Sequence, residues 1–183
     1  MEMEDLMQEE MIEQLNRQIN LEFFSAYFYL DVANYYTAEN LDGFANWFSI
    51  QEREERDHAF FFIRYLQDND CEVRLSEIAA PHRQYAGFEE PLKLAYSHEK
   101  TVTQRIHDLY DLAFTQKDFR TMQFLDWFIR EQGEEEKSVK TIGDKYTLFV
   151  NDQKSLYMLD GELKTRVYTP AAPADGTAPA ALA

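Results

Sequence analysis

Apolar residues recur along this chain in alternating steps of three and four over four long stretches, at about 8–37, 41–68, 91–116 and 119–150. That spacing keeps them on one side of an α-helix and predicts four long amphipathic helices. None of the four carries a proline beyond its first turn, as an unbroken helical hydrogen-bond ladder requires. TAENLDG separates the first two stretches and TQKD the last two. Connections this short leave consecutive helices antiparallel. The middle link, from about Asn69 to Glu90, contains Pro81 and Gly87 and shows little periodicity. Extended, such a link reaches about 70 Å, whereas a helix of about 28 residues is roughly 40 Å long. It can carry the chain back to its starting end and leave the second and third helices parallel. The expected fold is all-α, an up-down-down-up four-helix bundle with one long crossover.

Beyond Asn151, DQKSLYMLDGELKTR sets Leu156, Leu159 and Leu163 at helical spacing and predicts a short fifth helix. TPAAPADGTAPAALA then has no amphipathic pattern, and its Pro/Ala richness reads as a flexible tail. One bundle domain over 1–168 and a tail over 169–183 are the expected organisation.

Each helix has a seam that should face the interior. These run Leu15, Ile19, Glu22, Ala26, Tyr29, Ala33, Tyr36, then Phe44, Phe48, Gln51, Glu55, His58, Phe62, Tyr65. The third and fourth run Leu92, Ala95, Glu99, Val102, Ile106, Leu109, Ala113, and Leu125, Phe128, Gln132, Glu135, Val139, Ile142, Tyr146. Every seam is apolar except for a polar break near its middle. Within EREERDHA, the spacing turns Glu55 and His58 inward and Glu52, Arg53, Arg56 and Asp57 elsewhere. Glu22 lies about as far before the first turn as Glu55 and His58 lie after it, and Glu99 and Gln132/Glu135 flank the second turn likewise. At about 1.5 Å per residue, the breaks in each antiparallel pair are level within roughly one turn.

Four carboxylates in an apolar core repel one another, and each would lose several kcal/mol of hydration if left unpaired. No seam supplies a Lys or Arg. Either the acids take up protons or a multivalent cation lies among them. Glu22, Glu55, Glu99 and Glu135 with His58 form a mostly oxygen set with room for two ions, suited to iron or manganese rather than structural zinc. In the di-iron carboxylate bundles, two helices give one Glu each and two give Glu-x-x-His. Glu55-x-x-His58 matches one such motif, and Gln132-x-x-Glu135 stands in the other place, so the second ion lacks an imidazole. A purely structural polar layer fixing helix register is the competing account.

The acidic balance agrees with a cation partner. Thirty-four Asp and Glu against 18 Lys and Arg leave a formal charge of -16, which repels nucleic acid and anionic lipid and attracts cations. The single Cys71 offers no internal disulfide, in keeping with a reducing compartment. MEMEDLMQEEM lacks the basic residues of a targeting leader, and no apolar run approaches the roughly 20 residues that span a bilayer. No nucleic acid or membrane partner is expected, and the expected location is the cytoplasm.

NLEFFSAYFYL, EREERDHA, YSHEK and FLDWFIREQGEEEK resemble the corresponding segments of bacterial-type non-haem ferritins, and SLYMLDGELKTR resembles their short last helix. The similarity spans about residues 10–165. It implies a ferritin-like four-helix bundle, assembled as a homo-oligomeric shell of 24 subunits, that oxidises Fe(II) with O2 or H2O2 and stores ferric mineral. By this resemblance Glu22, Glu55, His58 and Glu99 hold the first iron of a di-iron ferroxidase centre, with Glu55 bridging. Glu99, Gln132 and Glu135 surround the second, and Glu54, Glu131, Glu134 and Glu135 match a third iron site. Tyr29 matches a tyrosine that supplies an electron during oxygen reduction, while Trp127 reads as core. Arg56 stands where haem-binding relatives carry an axial methionine, so no haem is expected. A peroxide-reducing protein of the rubrerythrin type would bring a second Glu-x-x-His and a rubredoxin-like Cys site, both missing here. A metal-free helical scaffold is the alternative from outside this chemistry.

Overall fold

The structure is a computed structural model that describes residues 7–81 and 84–170. Among the described residues five helices follow one another: α1 (Glu9–Ala38), α2 (Asp42–Asp68), α3 (Glu90–Gln116), α4 (Phe119–Phe149) and α5 (Gln153–Leu163). The expected seams of α1 and α3 are buried at every position. Those of α2 and α4 are buried up to their last members, Tyr65 and Tyr146, which are half-buried. The Tyr65 hydroxyl lies 2.7 Å from that of Thr121, so its polar end has a partner at the bundle's end.

α1, α2 and α3 stop in one way, without glycine. Asn40, Asp70 and Lys117 take left-handed backbone conformations, with φ of 60°, 57° and 57°. The following amide then reaches back over the last turn: Leu41 N donates to Tyr36 O, Cys71 N to Leu66 O and Asp118 N to Ala113 O, at 2.8–2.9 Å. This reversal satisfies carbonyls that a helix end leaves open. Asp118 also caps α4 by accepting from Thr121 N at 3.0 Å.

The link from 69 to 89 travels along α1. Asn16 donates to Glu72 O and accepts from Arg74 N, and Asn20 donates to Glu77 O. Further on, Tyr85 donates to Asp31 and Tyr36 donates to Phe88 O. These contacts climb α1 from its first turns to its last. α3 therefore starts beside the end of α1 and runs parallel to α2, giving the up-down-down-up order. Polar side chains of α1 serve the link's backbone, which allows a stretch without regular structure to lie against the bundle.

α5 seals the end where α2 begins. Its buried Asp160 accepts from Gly43 N at 2.8 Å and Phe44 N at 3.0 Å, serving as the missing cap of α2. A Cβ on Gly43 would come within 1.7 Å of Asp160 O, so only glycine fits there. Gly133 is different: a Cβ there would meet nothing within 4 Å, and nothing in the structure explains that glycine. Among the described residues no helix is long and apolar enough to cross a membrane. Of the Pro/Ala tail, residues 171–183 lie outside the described residues.

The apolar core is divided. One cluster gathers Tyr29, Tyr36, Phe44, Phe48, Leu92 and Ile142 at the α5 end. The other gathers Leu15, Phe62, Leu66, Ile106, Leu125 and Phe128 at the opposite end. The polar breaks of the four seams fill the layer between them.

Candidate metal centre

Each bundle helix brings its polar break to the same height. Glu22, Glu55, His58 and Glu99 are each 1% exposed, Gln132 is 2% and Glu135 is 5%. Three of them, Glu22 of α1 with Glu55 and His58 of α2, bring one ligand atom each to within 4.8 Å of one another. His58, Glu131 and Glu135 form a second such group. The imidazole thus stands between two sets of carboxylates.

Glu99 enters from α3, where Tyr29 donates a hydrogen bond to it and Gln132 Nε2 approaches at 3.2 Å. Glu22 accepts from Gln18 at 2.8 Å, and Glu135 from Gln51 at 2.7 Å. Four neutral groups therefore hold three carboxylates, and none of the four brings a positive charge.

Glu22 Oε2, Glu55 Oε1 and both ring nitrogens of His58 are buried with no amide, hydroxyl or cationic partner among the described residues. The Glu22 and Glu55 side chains hydrogen-bond to each other when one is protonated. His58 Nδ1 is 3.6 Å from Glu55 and Nε2 is 3.9 Å from Glu131, both too long for one. A buried unsatisfied polar group costs roughly 1–3 kcal/mol, and such groups cluster in natural proteins where something else completes them. Glu22, Glu55 and His58 each direct one ligand atom to within 4.8 Å of the others, and carboxylate oxygens and an imidazole nitrogen donate electron pairs to a metal. The set fits a cation of oxygen-and-imidazole preference.

The electrostatics agree. Burial raises Glu22, and burial with Glu99, Glu22 and Glu135 nearby raises Glu55 well above the carboxylate range. Glu99 is pushed up to about 7 and Glu135 to about 8, burial being the larger cause in both. Burial, then the charge of Glu99, lifts the Tyr29 phenol well above its ordinary value. Metal-free, the layer holds protons; a divalent ion would take their place.

The structure gathers Glu22, Tyr29, Glu55, His58, Glu99, Gln132 and Glu135 into this one layer. Glu131 borders it on the His58 side. Glu54 is turned to Arg166 at 2.6 Å, and Glu134 is exposed on the wall of a neighbouring groove. Trp127 packs edge-on against His58. Gln18 and Arg166 were not singled out from sequence. Gln18 lies one turn before Glu22, a spacing that could have flagged it; nothing near Arg166 in the sequence gives such a signal.

Fold and side chains together define a four-helix bundle with a carboxylate/histidine candidate metal centre at mid-height. The family model described as a ferritin-like domain matches residues 12–149. The bacterial non-heme ferritin of Staphylococcus epidermidis is 36% identical over 163 residues, 89% of this chain and 98% of that protein. A probable bacterial non-heme ferritin-like protein of Haemophilus influenzae is 33% identical, over 86% of this chain and 96% of its own. An open-pore ferritin from the archaeon Archaeoglobus fulgidus superposes with a TM-score of 0.87 at 38% identity, over 90% of this chain and all of that one. The chain belongs to the ferritin family.

Proposed function

We propose that this protein oxidises Fe(II) at the mid-bundle layer and stores the ferric product. The observation that carries the reading is the group of buried ligand atoms on Glu22, Glu55 and His58, with no buried Lys or Arg among the described residues to neutralise the carboxylates. Membership of the ferritin family supports iron as the cargo.

Glu22, Glu55, His58 and Glu99 would hold one Fe(II), and Glu99, Gln132 and Glu135 would surround the other, with Glu55 shared between the two. Each Fe(II) gives up one electron, and O2 takes the pair with two protons to leave as H2O2; H2O2 can serve as oxidant in turn. Several negative charges in a low-dielectric layer favour Fe(III) over Fe(II). Protons displaced from Glu99 and Glu135 accompany the reaction. Tyr29, hydrogen-bonded to Glu99, is placed to give one electron and its phenol proton when one Fe(II) gives the other electron to H2O2, which leaves as water. A later Fe(II) with a proton would restore the phenol. Glu54, Glu131, Glu134 and Glu135, the set the resemblance implies, would serve a third ion beside His58 on its way to the mineral. Residues 1–168 act as the bundle domain and 169–183 as a tail.

A storage role needs an enclosed volume, and a 24-subunit shell in the cytoplasm is the assembly we propose. Apolar residues left exposed on the single chain support subunit contacts. Tyr27 and Leu30 on α1, Leu75 and Ile78 in the crossover, Leu148 and Phe149 at the end of α4, and Tyr157 and Met158 on α5 are all exposed.

Stopped-flow oxidation of Fe(II) in air tests the reaction. The assembled wild type is expected to show a fast phase that saturates near two irons per chain. Glu55→Gln is expected to slow that phase by about 100-fold or more, the scale of losing a group that holds reacting ions in position. Oxidation no faster than a protein-free control would sink the ferroxidase reading. For Tyr29→Phe the expected result is unchanged stoichiometry with slower oxidation; an unchanged rate would return Tyr29 to the core.

A further inference from the structure

After α5 the chain doubles back across α2. Asn46 Nδ2 donates to Arg166 O at 3.0 Å, and the Arg166 guanidinium lies over the Trp47 ring, 4.6 Å from its centroid. One arm of that guanidinium donates to Gln51 Oε1 at 2.6 Å, and the other to Glu54 Oε2 at 2.6 Å. Two residues on, Tyr168 donates to Asp57 while the Arg53 guanidinium covers its ring. The segment is thus fastened along α2 from Asn46 to Asp57.

Arg166 touches the metal centre from outside. The Gln51 amide that accepts from it donates, through its nitrogen, to Glu135. Glu54, its other acceptor, lies on the side of the layer where His58, Glu131 and Glu135 converge. His58 Nε2 approaches Glu131 to 3.9 Å without a hydrogen-bond partner, although the side chain is 1% exposed. A guanidinium paired with one carboxylate of an acidic group does what a bound cation does there: it supplies positive charge and occupies oxygen lone pairs. It also repels a second cation arriving nearby.

We propose that Arg166 is a built-in counter-cation that competes with metal for Glu54 and so sets how many ions one chain holds tightly. With the guanidinium on Glu54, that carboxylate is withheld from an ion at His58, Glu131 and Glu135. When the side chain swings away, Glu54 joins the set and the repulsion is relieved. Arg166 itself lines a groove of about 580 Å³ together with Trp47, Glu134, Lys137, Thr141, Lys145 and Glu162, which leaves its side chain room to move off Glu54. The inference rests on the reading that the layer binds iron, and adds to it a residue that governs occupancy.

The test is calorimetric titration of the assembled protein with Co(II) under nitrogen, a divalent probe that leaves iron redox chemistry aside. Arg166→Gln is expected to bind its weakest equivalent about tenfold tighter than the wild type, as removal of a neighbouring positive charge should allow. Arg166→Met, which keeps the packing on Trp47, should behave alike, and Arg166→Lys should return toward wild type. The gain should vanish in Arg166→Gln combined with Glu54→Gln. Tight Co(II) binding indifferent to residue 166, or a gain that survives the loss of the Glu54 carboxylate, overturns the role of Arg166 alone. Failure of wild type and variants alike to bind Co(II) overturns the metal-centre reading beneath it.

Discussion

At the scale of single residues, the centre is a balance between protons and metal. Glu99 and Glu135 are raised to about 7 and about 8, and Glu22 and Glu55 are raised too, from an ordinary 4.5. The folded, metal-free chain therefore keeps protons that the unfolded chain gives up above about pH 4.5. With more protons bound in the folded state, stability is greatest below about pH 4.5 as far as these groups are concerned, and falls as pH rises toward about 8. A bound cation removes the cause. Thermal unfolding of metal-free protein should thus shift downward between about pH 5 and 8, while Co(II)-loaded protein should hold or gain stability. A metal-free transition that rises through that window would contradict the protonated layer. Glu22, Glu55, His58, Glu99 and Glu135 were legible in the sequence because each breaks an otherwise apolar seam. Arg166 was not, because it reaches Glu54 across 112 residues and from outside the bundle, where no periodicity marks it.

At the scale of elements, the helices followed from spacing, and their ends lie within one residue of expectation, apart from the fifth, for which only a sequence stretch had been marked. What spacing could not convey was how the pieces are fastened. The crossover was legible only by its length, since its register rests on Asn16 and Asn20, whose amides serve the link's backbone instead of a neighbouring helix. The docking of α5 was equally hidden, because a buried aspartate in DGEL reads as an ordinary surface acid until Gly43 and Phe44 are seen to donate to it. Asp160→Ala should cost about 1–2 kcal/mol, the usual scale for losing a helix cap. Gly43→Ala should cost at least as much, since its Cβ would collide with the backbone of α5. Denaturant unfolding of the two variants checks both, and wild-type midpoints would show that α5 is not anchored there.

At the scale of the whole molecule, the bundle places an acidic layer between two apolar clusters, so that ions are held at mid-height by four rigid helices at once. The crossover makes this arrangement: by returning the chain along α1, it sets α3 parallel to α2 and brings Glu99 level with Glu22 and Glu55. On this view iron binds in this layer. Crystals of the assembled protein soaked with Fe(II) without oxygen, and measured for anomalous scattering at the iron absorption edge, test it most directly. One peak is expected within Glu22, Glu55 and His58 and a second among Glu55, Glu99 and Glu135. Iron found only on the surface, with none between the two apolar clusters, would contradict it.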